Sequence, residues 1–348
     1  MVQSTSSSVY HDIMPSPIPI HRLLPKGFSP TLTLRPCSSP NRIPGKGSQF
    51  SFTKPHRALL RRSWYTVIWD ELKLLDLLGS GGFGWVYRGT YYGQTVAIKK
   101  VRKCTKNRLA ARQSFWAELN VAHLVHENIV KIVAATTSVP SDPAIEDSVG
   151  TIIMEYAGGT SLDHRIYNCA EPLDIGGCLQ FSNDIMSGLA FLHSHHIVHL
   201  DLKPANVLIT EAGRCKIGDF GCSHKLTTGS DLTSNVQWHH FAGTYTHRAP
   251  ELLRGCNATL KADIYSFAIT LWQMMSRDQP YSGDRQCVVY AVVAYNRRPS
   301  FSPIFNETPM GRQIRAIINN CWEVEPNDRP SAKQLLDSIN CLAAQLWR

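Results

Sequence analysis

Several short stretches of this chain hold the residue types that could move a phosphoryl group. Asp201, Lys203 and Asn206 share the run Asp201-Leu202-Lys203-Pro204-Ala205-Asn206, and Asp219 follows in Asp219-Phe220-Gly221. A carboxylate can accept the proton of an attacking hydroxyl. A lysine can neutralise charge on a transferring phosphoryl group, and amide and carboxylate oxygens suit a hard divalent cation. Upstream lie Gly79-Ser80-Gly81-Gly82-Phe83-Gly84-Trp85-Val86, preceded by Leu78, and Val96-Ala97-Ile98-Lys99. Glycines let a backbone approach phosphates and present its N–H groups. An isolated Gly-x-Gly-x-x-Gly run is also an ordinary hairpin, and Lys99 on the next strand is what makes a nucleotide site of it. The implied chemistry is transfer of a phosphoryl group from ATP, held with Mg²⁺, to a hydroxyl.

Positioning these groups needs a sheet and a helix. Leu72 to Leu78 leads into the glycines, and Thr95 to Val101 reads as a strand rich in β-branched residues. Phe115, Leu119 and Ala122 recur at helical spacing between Arg112 and Leu124, and Glu118 lies on that helix. Alternation along the strand sends Lys100 to the face opposite Lys99. Ile152-Ile153-Met154 reads as a short buried strand, and Ser138 to Gly150, with Pro140, Asp142, Pro143, Glu146 and Asp147, as an exposed loop before it. From Leu162 the pattern is helical. Phe181, Ile185, Leu189 and Leu192 share a face, and Asp263 to Met274 is apolar nearly all round, as in a helix at the centre of a lobe. Ile314 to Trp322 and Leu335 to Leu342 read as closing helices. The fold class is α+β in two lobes: an antiparallel sheet with one helix over about 70–156, and a mainly helical lobe over about 160–341.

Composition narrows the function classes. The 348 residues carry a formal net charge of +9, but residues 1–63 hold nine of the Lys and Arg and one acid, so the remainder is close to neutral. The basicity therefore belongs to the Ser- and Pro-rich beginning, which reads as a disordered tail, and nucleic acid is not an expected partner. That stretch is acid-poor, as an organelle transit peptide is, but Pro15, Pro17, Pro19, Pro25 and Pro30 spoil the amphipathic helix such peptides form. No apolar run approaches the ~18 residues of a membrane span, and no membrane partner is expected. The ten cysteines stand singly, without a Cys-x-x-Cys pair, and read as reduced thiols of a cytoplasmic protein. His193, His195, His196 and His199 cluster enough to suggest a metal, yet they lead straight into the Asp201 loop. The basic run Lys99, Lys100, Arg102, Lys103, Lys106 and Arg108 reads as a solvated loop, with an acidic partner or a nuclear signal as alternatives.

Taken together, the glycine run, Val96-Ala97-Ile98-Lys99, His199-Leu200-Asp201 with Asn206, Asp219-Phe220-Gly221 and Ala249-Pro250-Glu251 resemble the protein kinase family, in the family's order. The resemblance implies that Lys99 binds the α- and β-phosphates with Glu118 paired to it. It implies Asp201, Lys203 and Thr244 as catalytic residues, with Thr244 bonded to Asp201 and Lys203, and Asn206 and Asp219 as magnesium ligands. Leu78, Gly79, Ser80, Gly81, Gly82, Phe83, Gly84, Trp85, Val86, Ala97, Met154 and Glu155 would line the nucleotide site, Met154 narrowing the pocket behind adenine. Glu251 would pair with Arg329 in a buried ion pair, and Asp263 would brace the catalytic loop.

Lys203-Pro204-Ala205-Asn206 and Gly243-Thr244 are similar to serine/threonine kinases. Tyr265-Ser266-Phe267, Leu271-Trp272, Cys321-Trp322 and Arg329-Pro330-Ser331 are similar to the tyrosine-kinase and tyrosine-kinase-like branches. The active-site loop favours Ser/Thr acceptors. More closely, Lys103 to Ala110, Ser114 to Ala122, His199-Leu200-Asp201 and Thr244 to Glu251 resemble the Mos family of vertebrate oocyte kinases. That resemblance implies a monomer that phosphorylates the MAP kinase kinase MEK, raises MAP kinase activity in meiotic maturation and sustains metaphase II arrest. Another MAP-kinase-kinase-kinase of the tyrosine-kinase-like group, or a MEK-binding scaffold without catalysis, are the rival readings. The intact Lys99, Asp201, Asn206 and Asp219 speak against the scaffold. Mos-family proteins begin at Met-Pro-Ser-Pro, found here at Met14-Pro15-Ser16-Pro17, which makes Ser16 the expected stability-controlling phosphosite and Met14 an alternative start. Leu200 stands where most kinases carry an arginine that meets a phosphate on the activation loop, so activity without loop phosphorylation is expected.

Overall fold

The computed structural model describes residues 67–81, 84–102, 108–137, 148–226 and 244–346. The expected tail, Ser16, Gly82, Phe83, Lys103 and Lys106 of the basic run and the activation-loop hydroxyls lie outside them, whereas Lys99, Lys100 and Arg102 of that run belong to a strand and Arg108 to a helix rather than to a loop. The first lobe is built from β1 (Leu72–Gly81), β2 (Gly84–Tyr91), β3 (Gln94–Arg102), α1 (Arg108–Val121), β4 (Ile132–Thr136) and β5 (Ser148–Glu155). The strands form one antiparallel sheet in the order β1-β2-β3-β5-β4. Alternation gives it two apolar faces. Val96 and Ile98 join Tyr91, Ala134 and Ile153 on one, and Val101 and Ile152 meet Ala111, Phe115 and Leu119 of α1 on the other. Lys99 lies on this second face, between Ile98 and Lys100, which is why the helix can reach it.

The second lobe follows with β6 (Thr160–Ser161), α2 (Leu162–Tyr167), α3 (Ile175–Ser194), β7 (Ile197–Val198), β8 (Val207–Ile209), β9 (Cys215–Ile217) and β10 (His224–Lys225). It closes with α4 (Pro250–Leu253), α5 (Lys261–Ser276), α6 (Arg285–Ala294), α7 (Ile304–Glu307), α8 (Pro309–Cys321) and α9 (Ala332–Leu346). Asp174 caps α3 through the N–H of Gly177, and Thr308 caps α8 through that of Gly311. Helix α5 is buried from Ala262 to Met275, as its all-round apolar sequence requires, and α3 and α8 pack about it in one continuous core. This is the α+β bilobal architecture expected from the sequence.

The closing helices α8 and α9 run longer than the expected Ile314 to Trp322 and Leu335 to Leu342, and two boundaries of the first lobe also differ from the sequence reading. Helix α1 starts at Arg108 rather than Arg112, because Leu109, Ala110 and Ala111 are strong helix formers and extend it by a turn. The expected loop Ser138 to Gly150 gives up its last three residues to β5: Ser148 pairs with Arg102 and Gly150 with Val101. Gly150, where the expected loop ended, lies within the strand. A Cβ there would lie 2.6 Å from the Phe115 ring, so a bare backbone is needed for α1 to close on the sheet.

Candidate active site

The β1–β2 hairpin, the sheet face above α1 and the loops after β7 and β9 converge on one cleft. Gly79 pairs with Val86, Ser80 with Trp85 and Gly81 with Gly84, so the described part of the glycine run is antiparallel strand ladder. A Cβ on Gly79 or Gly81 would meet nothing within 4 Å, whereas on Gly84, at φ +153°, it would lie 1.9 Å from the Lys100 carbonyl. Gly84 is therefore demanded by the fold, while Gly79 and Gly81 leave open space. Ala97 pairs with Met154, and Lys99 lies between Val86 and Ile152 in the sheet. Leu78 is half exposed. The Glu155 carboxylate accepts from Lys216 Nζ at 2.8 Å and from the Lys131 N–H at 2.7 Å, and the Glu155 N–H donates to the Lys131 carbonyl at 2.9 Å.

Lys99 Nζ donates to Glu118 Oε1 of α1 and, at 2.7 Å, to Asp219 Oδ1. Burial alone would lower the Lys99 pKa, but the two carboxylates more than offset it and raise it. Packing around Asp219 favours its neutral form, yet Lys99, with lesser help from His199 and Lys203, holds its pKa at about 2. Asp219 has φ 56°, a left-handed conformation, and Phe220 behind it is buried against the His199 ring at 5.0 Å.

The Asp201 loop is held from below. Buried Asp263 accepts the N–H groups of His199 at 2.8 Å and Leu200 at 2.9 Å, and pairs with His193 Nε2 at 2.9 Å. His199 Nδ1 accepts from the Asp201 N–H at 3.3 Å, so its Nε2–H donates to the Gly218 carbonyl at 3.0 Å. Two members of the histidine cluster are thus structural, and no group of His, Cys, Asp and Glu suited to a metal occurs among the described residues. Leu200, at φ 65°, is buried in the lobe core.

At the loop's working end, Lys203 Nζ lies 3.0 Å from Asp201 Oδ2 and donates to Thr244 Oγ1 at 2.6 Å. The Thr244 N–H donates to Asp201 Oδ1 at 2.8 Å. Asn206 Nδ2 donates to the Asp201 carbonyl at 2.8 Å and to Oδ2 at 3.0 Å, which leaves its Oδ1 for a cation. The site sets three carboxylates, Glu118, Asp201 and Asp219, against two ammonium groups, Lys99 and Lys203. That excess of negative charge, with oxygen donors on Asn206 and Asp219, fits a hard divalent cation. The described catalytic and metal-site residues named from the sequence come together around Lys99, Asp201 and Asp219, whereas Trp85 pairs with Lys100 on the opposite sheet face and lies under the Arg102 guanidinium. What the sequence reading missed are polar groups one layer away: Lys216, which holds Glu155, and Gln273, a lone amide in an apolar helix whose isolation there was the available signal.

The protein kinase domain model matches residues 72–339. The chain is 52% identical over 335 residues to the serine/threonine-protein kinase mos of Xenopus laevis, covering 94% of this chain and 92% of that one. It is 54% identical over 357 residues to the serine/threonine-protein kinase mos of Gallus gallus, covering 96% of this chain and all of the other. With the proto-oncogene serine/threonine-protein kinase mos of Mus musculus it shares 51% over 348 residues, covering 96% of this chain and all of that one. A kinase cleft complete from Lys99 to Thr244, and relatives of this similarity along nearly their whole length, place the chain in the Mos group of serine/threonine kinases within the protein kinase family, ATP-dependent enzymes that work with a divalent metal.

Proposed function

We propose that this kinase acts in the cytoplasm on a MEK-type MAP kinase kinase, raising MAP kinase activity in oocyte maturation and sustaining metaphase II arrest. The observation that carries the reading is the near full-length match to mos kinases at about half identity, with an uninterrupted catalytic set. In the mechanism, ATP–Mg²⁺ supplies the phosphoryl group and part of its charge neutralisation. Asn206 Oδ1 and the Asp219 carboxylate would hold the magnesium. Lys99, steadied by Glu118, would bind the α- and β-phosphates, and the backbone of Gly79 to Gly84 would cover them. Leu78, Val86, Ala97, Met154 and the main chain at Glu155 would enclose adenine. Asp201 orients the acceptor serine and takes its proton. The serine oxygen bonds to the γ-phosphorus as the bond to the β-phosphate oxygen breaks, and ADP leaves. Lys203 neutralises the transferring group, while Thr244 holds Asp201 and Lys203 in register.

The test is transfer from radiolabelled ATP–Mg²⁺ to kinase-dead MEK, with Lys99→Arg as control. Incorporation into MEK serines that disappears in the control supports the reading. Transfer to generic acceptors alone removes the MEK assignment and leaves the kinase.

A further inference from the structure

We infer that His247 is a positioning residue for the acceptor side of the site: through Gln273 it holds the segment that sets Thr244 against Asp201 and Lys203. The inference rests on the roles given above to Asp201, Lys203 and Thr244.

His247 ends the short 3-10 turn Tyr245–His247 and is only 6% exposed. Its Nε2 lies 2.5 Å from Gln273 Oε1, and its Nδ1 lies 3.0 Å from Thr246 Oγ1. Gln273 Nε2 donates to the Tyr167 hydroxyl at 2.6 Å, and that hydroxyl donates to the Asp278 carbonyl at 3.0 Å. These partners assign the hydrogens. The Gln273 amide has its nitrogen committed to Tyr167, so Oε1 accepts from His247 Nε2–H. Nδ1 is then bare and accepts from the Thr246 hydroxyl. Both ring nitrogens and both polar atoms of the Gln273 amide have a partner, and burial favours the neutral imidazole.

The main chain of the turn is clamped as well. The His247 carbonyl accepts from Ser266 Oγ at 2.8 Å, and its N–H donates to the Thr244 carbonyl at 3.1 Å. Helix α5 thereby holds both halves of the site. Asp263 near its start fixes the Asp201 loop, and Gln273 near its end fixes the loop that carries Thr244. A buried, fully partnered network of this kind specifies one position, and removal of one member leaves its neighbour's polar atom unpaired. The charged groups that face His247 are Asp201 and Lys203. Burial, with a smaller push from Lys203, opposes its protonation, and the Gln273 bond and Asp201 only partly compensate.

The test uses the full chain with casein as a generic serine acceptor. His247→Ala and, separately, Gln273→Leu should each lower kcat/KM for casein at least tenfold. Affinity for a fluorescent ATP analogue should stay within twofold, because Lys99, Glu118 and Asp219 do not depend on this turn. The double variant should be no more than twofold worse than either single one, since the pair acts as a unit. Gln273→Glu keeps an acceptor for Nε2 and should stay within threefold of wild type at pH 8. A carboxylate at that position raises the proton affinity of the imidazole, so its rate should gain an inflection between pH 6 and 8 that wild type lacks. If His247→Ala does not fold, Gln273→Leu and Gln273→Glu carry the test. Casein phosphorylation within twofold of wild type in a folded deletion variant overturns the inference, as does an ATP affinity that falls in step with turnover. Asp201→Asn run alongside separates the cases: if it keeps its activity, the reading of the transfer site fails first.

Discussion

Leu200 shows how one side chain can change the regulation of a kinase without touching its chemistry. Its backbone N–H is held by Asp263 and its side chain is buried in the core of the second lobe. A buried leucine offers no charge to a phosphate on the activation segment, so phosphorylation of that segment cannot be coupled to the catalytic loop through this position. Simultaneous alanine substitution at Thr227, Thr228, Ser230, Thr233 and Ser234 is therefore expected to leave kcat/KM within about threefold of wild type. A loss beyond tenfold would show that another group reads such a phosphate. By contrast, Lys99, Glu118 and Asp219 form a connected unit, in which the two carboxylates raise the pKa of Lys99 and Lys99 lowers that of Asp219.

The β1–β2 hairpin separates glycines that serve the fold from those that serve the ligand. Gly84 lies against the Lys100 carbonyl at positive φ, so Gly84→Ala must push β2 from β3 and is expected to cost roughly 3 kcal/mol or more of stability, read as a lowered urea midpoint. Gly79 and Gly81 face open space. Alanine at either should leave that midpoint nearly unchanged and raise the KM for ATP several-fold, because a methyl group intrudes only where phosphates approach. Equal destabilisation by all three would refute the division. Helix α5 is the corresponding device in the second lobe: one buried rod carries Asp263 and Gln273, and so places two loops that are distant in sequence.

Arg329 ties the end of the activation segment to the far end of the second lobe. Its guanidinium meets both Glu251 oxygens at 2.7 and 2.8 Å, donates to the carbonyls of Glu323 and Lys261, and lies over the Tyr265 ring. With the side chain wholly buried, Arg329→Leu strands a carboxylate and is expected to cost about 3–5 kcal/mol, measurable by urea unfolding. The same measurement at different pH tests His247. Unfolded, an imidazole titrates near 6.5, whereas burial holds His247 at about 4. The unfolded state takes up the proton first, so this group's contribution is full above pH 6.5 and declines as pH falls toward 4, by about 3 kcal/mol in all. His247→Asn should make stability fall less steeply across that window than in wild type, and an unchanged slope would contradict the assignment.

Much of this protein was legible along the chain because kinase chemistry is concentrated in short runs. Asp201, Lys203 and Asn206 lie within six consecutive residues, and the strand carrying Lys99 and the apolar helix α5 announce themselves by period and composition. Pairings such as Lys99 with Glu118 or Glu251 with Arg329 could be named from a family resemblance, but composition and spacing say nothing of their distances. The tertiary structure alone decided the rest. Gly150 pairs with Val101 in the sheet, and it must lack a side chain because the Phe115 ring occupies the space one would need. Gln273 matters because folding brings it 2.5 Å from His247, far from it in sequence. Local propensity and hydrophobic period depend on neighbours a few residues away and can be read in order. Close packing and buried hydrogen bonds depend on which distant atoms share a volume, and that exists only once the chain has folded.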